Sequence, residues 1–492
     1  MFSTYEDYLL SKQISAKPRG FEIDQNQVHP MLFDWQQAGL QWLLRLGHGL
    51  AGWRMGLGKT LLQVEWARLV HEHTRAPVLI VCPLAVAKQT IREAKKIRVD
   101  IEYVRSMDEA RLADTPITIV NFDMFRREFE SWYWRKGGLV IDESSILSSY
   151  QGFTKKFIIP FMNDVAFGLC CTGTPARNDF MEIGNHAEAL GVMDSSQMLA
   201  NWFMSGGGAG MKTGEIVAGK YKLKPLGEED FWRWITTWGL ILDIPSVIGG
   251  DDTGYILPEL KLNFHTLEVD HTRAFEMQDK RGQHFLFLPD NPSSTEMWAE
   301  KKQTYKDRVY KAIELIENEP DEYRVNWCDL DLESHLLYKE LLAKYGQEAV
   351  VEVHGSDSLE NKEAKLDAFS LGNVKWIVTK SKIAGLGLNW QHCARQTFVS
   401  TNYSWEKWTQ AIARCQRYGQ TRQVTIDMIA SETEQGIIKS VKRKAQQDAD
   451  MHKWIKKIYN KFGLWRTDRK ELTADFGEME MILPKWMNNG HY

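Results

Sequence analysis

The sequence predicts an α/β protein made of two tandem parallel sheets, and three observations carry that expectation. Short apolar runs alternate with helical periodicity in two separate blocks of the chain. A glycine-rich hexapeptide, Met55-Gly-Leu-Gly-Lys-Thr60, opens a helical pattern in the first block, and an apolar run ends on Asp142-Glu143 about 80 residues later. The second block has no such loop but carries Arg414 and Arg417, three residues apart.

In the first block, Val78–Cys82, Ile117–Asn121, Gly138–Ile141 and Phe167–Cys171 read as strands, with helical patterns such as Leu84–Lys96 between them. Apolar runs this short, separated by helices, indicate buried parallel strands joined by right-handed crossovers. The second block repeats the grammar. Its strands are expected at Tyr323–Asp329, Ala349–Val353, Trp376–Thr379, Thr397–Val399 and Val424–Met428, and its helices around Glu333–Lys344, Leu359–Ser370 and Trp405–Arg417. Between the blocks, the glycine-rich run from Ser205 to Gly210 and the stretch to Tyr221 read as an exposed hairpin or insert. Phe231–Trp238 begins a helix, Asp251–Pro258 and Phe287–Ser294 are turn-rich, and Met297–Glu319 is a charged helix. The expected division is a first lobe over 1–245 with an insert near 205–222, a linker and helical segment over 246–320, a second lobe over 321–445, and a basic helical extension over 446–492.

At 492 residues, with 43% hydrophobic and 26% charged residues, the chain has room for two or three cores. No segment approaches the apolar length of a membrane span, and the first residues lack the apolar stretch of a signal peptide. A cytoplasmic protein with no membrane partner is expected. The cysteines at 82, 170, 171, 328, 393 and 415 form no C-x-x-C pair and read as buried free thiols. A net charge of −4 excludes a polycation, so nucleic-acid binding would have to come from a local groove. The 19 tryptophans read as core and interface residues. Lys439–Lys470 holds 11 Lys/Arg against 3 Asp, which fits a solvated helical face or a phosphate-contacting one.

The hexapeptide has the chemistry of a nucleoside-triphosphate site. Gly56 and Gly58 remove Cβ atoms, so the backbone N–H groups through Leu57 can approach phosphate oxygens. Lys59 brings a point charge to the β- and γ-phosphates, and the Thr60 hydroxyl suits Mg²⁺. Leu61, Leu62, Val64 and Ala67 mark an amphipathic helix whose positive end faces the phosphates. Asp142 is placed to hold Mg²⁺ largely through water, and Glu143 to orient or deprotonate the attacking water. Trp53 occupies the position of the first glycine in the longer G-x-x-x-x-G-K-T pattern. In the second block, Arg414 and Arg417 would share a helical face with Gln410, the arrangement of an arginine finger.

The order of motifs resembles the superfamily-two helicases with their DEAD/DEAH-type box, and within them the Swi/Snf-type DNA translocases, including compact phage and prophage versions. The resemblance covers roughly residues 28–445. Leu32–Trp42 is similar to the adenine-reading segment, with Gln36 in the glutamine position. Met55–Thr60 resembles motif I, Val81–Leu84 motif Ia, Asp142–Ser145 motif II and Thr172–Asn178 motif III. Gly385–Asn389 resembles motif V, and Gln410–Gln420 is similar to motif VI, whose trailing Gly-Gln is the most family-specific feature. Trp53-Arg54 and Ser144-Ser145 depart from the commoner Asp-Glu and Ala/Cys-His, and the serines put the coupling of motifs II and III in question.

The resemblance implies two RecA-like lobes with an ATP cleft between them, ATP and Mg²⁺ as cofactors, and a monomer whose partner is DNA, duplex in preference. It adds Gly387 to the nucleotide contacts. It also marks Pro83, Thr174, Ser381 and Lys382 as nucleic-acid contacts through phosphates. Phage or host replication and recombination proteins are candidate partners, in the host cytoplasm if the chain is phage-encoded. The leading expectation is a DNA-dependent ATPase that translocates along duplex DNA. A strand-separating or branch-remodelling helicase is the alternative within enzymes, and an ATP-gated DNA-binding clamp or recruitment module the alternative outside them.

Overall fold

Both predicted sheets form, and each is parallel throughout, as two RecA-like lobes require. The structure is a computed structural model that describes residues 18–148, 153–176, 178–205, 221–268, 294–384, 388–400 and 404–462. Gly387, most of the insert near 205–222 and the last part of the basic segment lie outside the described residues.

The first unit comprises residues up to Asp252 together with those from Gln446 onward. Its sheet contains β1 (His48–Trp53), β2 (Val78–Cys82), β3 (Glu102–Tyr103), β4 (Ile117–Asn121), β5 (Gly138–Asp142) and β6 (Phe167–Cys171). A separate antiparallel ladder pairs β7 (Phe203–Ser205) with β8 (Tyr221–Leu223), so the described ends of the insert are a hairpin. The seventh strand of the large sheet is β9 (Gly239–Leu242), and the order is β3-β4-β2-β5-β6-β1-β9. Every residue of β1, β2, β4, β5, β6 and β9 is buried, which is why β2, β4, β5 and β6 read as apolar runs. β1, β3 and β9 were not marked in the sequence. β1 is interrupted by Gly49 and Gly52, whose small size lets Leu43 and Ile241 pack against the strand.

The second unit, Thr253–Ala445, adds β10 (Lys261–Leu267), β11 (Arg324–Trp327), β12 (Val350–Val353), β13 (Trp376–Thr379), β14 (Arg395–Phe398) and β15 (Thr425–Ser431), in the order β10-β15-β14-β11-β13-β12. Residues 246–320, expected as a linker and helical segment, contain the edge strand β10 as well as the helix Ser294–Glu317, and from Thr253 onward they belong to this unit. Side chains alternate between two cores with the period of a strand. Ile377 joins Trp327, Trp390, Phe398 and Trp408 on one face, while Trp376 and Val378 meet Ile316, Leu337 and Leu341 on the other.

The helix Gln435–Phe462 runs from the second unit into the first. Its later half buries Met451, Ile455, Ile458 and Tyr459. The Tyr459 hydroxyl lies 3.4 Å from both the Ile241 N–H and the Gly239 carbonyl, occupying polar groups of edge strand β9. Lys457 and Lys461 pair with Glu229. One face of the basic segment is thus core-packed, and two of its cations answer a carboxylate of the same unit. All six cysteines are buried free thiols, and no helix among the described residues is long and apolar enough to cross a membrane.

Buried ions hold the second sheet. The Arg324 guanidinium bonds Asp427 at 2.8 Å and Glu319 at 2.6 Å, and Asp427 also accepts from Asn263 and faces His265, each at 2.9 Å. Burial alone would raise the Asp427 pKa, but hydrogen bonds from His265, Asn263 and Arg324 bring it down from 3.8 to about 2. A carboxylate whose folded value lies below its unfolded value contributes stability above the unfolded value and loses it as pH falls through the folded one. Asp427→Asn should lower stability at neutral pH by about 3 kcal/mol, because Arg324 is left buried with one partner fewer. It should also flatten the acid limb of a stability–pH curve between pH 3.8 and about 2. Urea unfolding of both proteins across that range checks this; parallel curves would assign the network no such role.

Candidate functional site

Immediately after β1 the chain makes the glycine-rich turn expected to hold phosphates. Gly56 has φ 93° and Gly58 φ 81°, both in the left-handed region open to glycine, and the helix Lys59–Thr74 starts at the next residue. A second constraint acts on Gly58, since a Cβ there would lie 2.4 Å from the Gln36 amide nitrogen. Gln36 is buried, accepts from the Phe33 N–H at 2.9 Å and donates to the Leu57 carbonyl at 2.9 Å. It braces the loop from the adjacent helix Asp34–Leu46. The Lys59 ammonium donates to the Trp53 carbonyl at 2.8 Å and reaches that of Arg54 at 3.4 Å. The helix itself is not amphipathic: Leu62 to Ala67, Leu69 and Val70 are all buried, because it packs against both the sheet and neighbouring helices.

β6 lies beside β1 in the parallel sheet and β5 beside β6, so their C-terminal ends reach the same edge as the loop. Asp142 closes β5 and is buried; burial raises its pKa, and the positive charge of Lys59 opposes the rise. Glu143 follows with φ 55°, a left-handed conformation that costs a non-glycine residue of order 1 kcal/mol. Its N–H donates to Asp142 Oδ1 at 3.1 Å. After β6, the Thr172 N–H bonds the Ala51 carbonyl at 3.1 Å, and Thr174 N–H bonds the Thr172 hydroxyl at 3.1 Å. A Cβ on Gly173 would come within 3.3 Å of Met55 and 3.5 Å of the Lys59 ammonium. Gln36, Gly56, Leu57, Gly58, Lys59, Thr60, Asp142 and Glu143 are therefore brought together by one unit.

Two departures from the family pattern find partners that the sequence did not reveal. Ser144 is fully buried, and its hydroxyl lies 3.0 Å from Nε2 of His186, on the helix Ile183–Ala189 that follows the motif III segment. The neighbouring Asn185 donates to the Leu147 carbonyl at 2.6 Å. Motif II is thus tied to the helix after motif III through Ser144 and His186. A polar residue kept inside an otherwise buried turn was the available signal for Ser144; His186 has no spacing signature. Arg54 pairs with Asp448 at 3.3 Å, anchoring the helix Gln435–Phe462 beside the loop.

In the second unit the helix carrying Gln410 spans Trp405–Ile412, so it stops before the two arginines, which sit in the following turn. The Arg414 carbonyl, which a continuing helix would give to Tyr418, accepts from the Trp390 N–H at 2.8 Å. The guanidinium groups nevertheless converge, Arg414 Nη1 at 3.2 Å and Arg417 Nη1 at 2.7 Å from the Leu388 carbonyl. The trailing glycine and glutamine have a structural cause. Gly419 has φ 83°, and the Gln420 amide donates to the Gln391 and Cys415 carbonyls at 2.8 and 3.1 Å. Pro83 stands before the helix Leu84–Lys96, Ser381 and Lys382 open a short helix after β13, and Thr174 is buried.

Burial lowers the His186 pKa from 6.5 to about 4, so the folded protein holds it neutral. The unfolded chain binds the proton first, and stability should fall as pH drops from 6.5 through about 4. His186→Gln should flatten that limb. Ser144→Ala should cost about 2 kcal/mol by removing the imidazole's partner. Urea unfolding at pH 7.5 and 5 reads both, and an unchanged Ser144→Ala midpoint would deny the bond any weight.

Residues 311–419 match the family described as Helicase conserved C-terminal domain. The chain is 25% identical over 202 residues to the ISWI chromatin-remodeling complex ATPase CHR17 of Arabidopsis thaliana, covering 37% of this chain and 18% of that protein. It is 37% identical over 73 residues to the DNA repair and recombination protein RAD26 of Saccharomyces cerevisiae, covering 14% of this chain and 7% of the relative. The matched stretches thus span under a fifth of either relative's length. A solved SWI2/SNF2 ATPase core of Sulfolobus solfataricus, in complex with double-stranded DNA, is 17% identical with a TM-score of 0.38, covering 94% of this chain and 99% of that one. Within the second unit, residues 311–419 are thus similar to a helicase C-terminal domain, and the sequence relatives named are a chromatin-remodelling ATPase and a DNA repair and recombination protein.

Proposed function

We propose that the chain hydrolyses ATP and uses the cycle to translocate along duplex DNA. The observation that carries the reading is the single edge where the Gly56–Thr60 loop, Asp142, Glu143 and Gly173 meet. Backbone N–H groups at the start of the Lys59–Thr74 helix and the Lys59 ammonium suit the phosphates. Binding there would draw Lys59 away from the Trp53 and Arg54 carbonyls. Thr60 and Asp142 offer the oxygen donors that Mg²⁺ prefers, and a buried carboxylate of raised pKa is a group whose ionised form a dication compensates. When bound, the ion would neutralise charge on the phosphate oxygens. Glu143 orients the attacking water and accepts its proton, while Arg414 and Arg417 stabilise charge developing on the γ-phosphoryl group.

Support for DNA comes from the motif order and from relatives whose names place them in DNA repair and chromatin remodelling. Ser381, Lys382 and the turn at Pro83 are the proposed phosphate contacts; Thr174, being buried, acts through the backbone of its loop. A strand-separating activity would need a wedge, for which the hairpin of β7 and β8 is the candidate element.

Steady-state ATP hydrolysis should be stimulated by duplex DNA above single-stranded DNA and duplex RNA. Glu143→Gln should retain nucleotide binding and lose at least about 100-fold in turnover, whereas Lys59→Ala should lose binding itself. Stimulation by single strands alone would transfer the weight to strand separation, and near-normal turnover by Glu143→Gln would remove the assigned base.

A further inference from the structure

Far along the chain from the nucleotide loop, three metal-type donors converge on the edge of the second sheet. His335 lies on the helix Asp331–Tyr345, Glu352 on edge strand β12, and His354 just beyond that strand. Glu352 and His354 are two residues apart, so strand geometry puts them on one face. His354 Nε2 is 2.9 Å and His335 Nδ1 3.7 Å from the same carboxylate oxygen, Oε2 of Glu352, and all three donor atoms lie within 4.8 Å of one another. A tetrahedral ion with bonds of ~2.0–2.1 Å sets its ligands about 3.3 Å apart, a spacing these atoms reach by small rotations.

The surroundings fit an ion better than an ordinary ion pair. Glu352 is 5% exposed, yet among the described residues its carboxylate meets no lysine or arginine within ion-pair distance; its partners are the two imidazoles and Ser334. The Ser334 hydroxyl donates to the other carboxylate oxygen, Oε1, at 2.6 Å. That bond fixes the carboxylate and leaves Oε2 facing the two imidazoles, the outer support usual for a ligating carboxylate. His335 is largely solvent-exposed, which leaves room for water as a further ligand.

We propose that His335, Glu352 and His354 form a binding site for a divalent transition ion of the zinc class. Two nitrogens and one carboxylate oxygen favour zinc over magnesium or calcium, which take all-oxygen sets. The ion clips the helix Asp331–Tyr345 to the sheet edge. The site is built wholly within the second unit and is independent of how the nucleotide loop is read.

The test uses the untagged full chain, stripped with chelator and dialysed against zinc chloride, with thermal unfolding and bound zinc as readouts. The expected result is about one zinc per chain, with a Tm that rises with free zinc and does not respond to calcium. His335→Ala and His354→Ala should each weaken binding at least about tenfold; His335 is exposed enough that its loss leaves the fold intact. Cobalt in place of zinc should give visible absorption that both variants lose. Zinc uptake undiminished in both variants would overturn the site, as would no uptake by the unaltered chain at about tenfold molar excess.

Discussion

The glycine-rich loop before the Lys59–Thr74 helix depends on the backbone at Gly58, and the neighbouring helices and motifs of the first unit pack around it. The residue has a left-handed φ of 81°, and the Gln36 amide occupies the space in which a side chain would start. A larger residue would have to adopt a costly conformation and displace a buried amide that bonds both Phe33 and Leu57. The loop's shape, the start of the Lys59–Thr74 helix and the helix Asp34–Leu46 are consequently held as one assembly. Gly173 applies the same restriction from the other side, because its missing Cβ lets motif III lie against Met55 and Lys59.

Around that loop the protein uses buried polar contacts where a wholly apolar core would carry no information between motifs. Ser144 joins His186, Asn185 joins Leu147, and Asp142 is held beside Lys59 with its own pKa raised by burial. Glu143 keeps a left-handed backbone that a glutamate rarely adopts. Strain of this kind persists only where neighbouring contacts over-determine it, and here Asp142 and the buried Ser144 stand on either side. Ser144, where the family pattern has another residue, finds its partner in a histidine from a later helix.

The second unit is stabilised differently. Its strands carry large aromatic residues on both faces, and buried charges such as Arg324 with Asp427 and Arg308 with Glu434 cross-link its elements. The turn bearing Arg414 and Arg417 is fixed by the Gln420 amide and by the Leu388 carbonyl, which collects both guanidinium groups. The family-specific glutamine is therefore a clip for the turn.

The sequence by itself determined most of the buried strands, the glycine-rich turn at Gly56–Gly58 and the place of Asp142-Glu143 at a strand end, because each depends on local chemistry: unbroken apolar runs, glycines at left-handed positions, carboxylates where an apolar run stops. β1, β3, β9 and β10 escaped notice because glycine, brevity or half-exposure blurs their pattern, and the helix from Trp405 was extended past Ile412 because helical spacing does not register a carbonyl captured by Trp390. Only the tertiary structure decided that Arg54 meets Asp448, that His186 meets Ser144, and that His335 joins Glu352 and His354. Those partners lie 394, 42 and 17 residues apart in the first two cases and between His335 and Glu352 in the third. Local propensity cannot bring such residues together; the stacking of helices on a parallel sheet does.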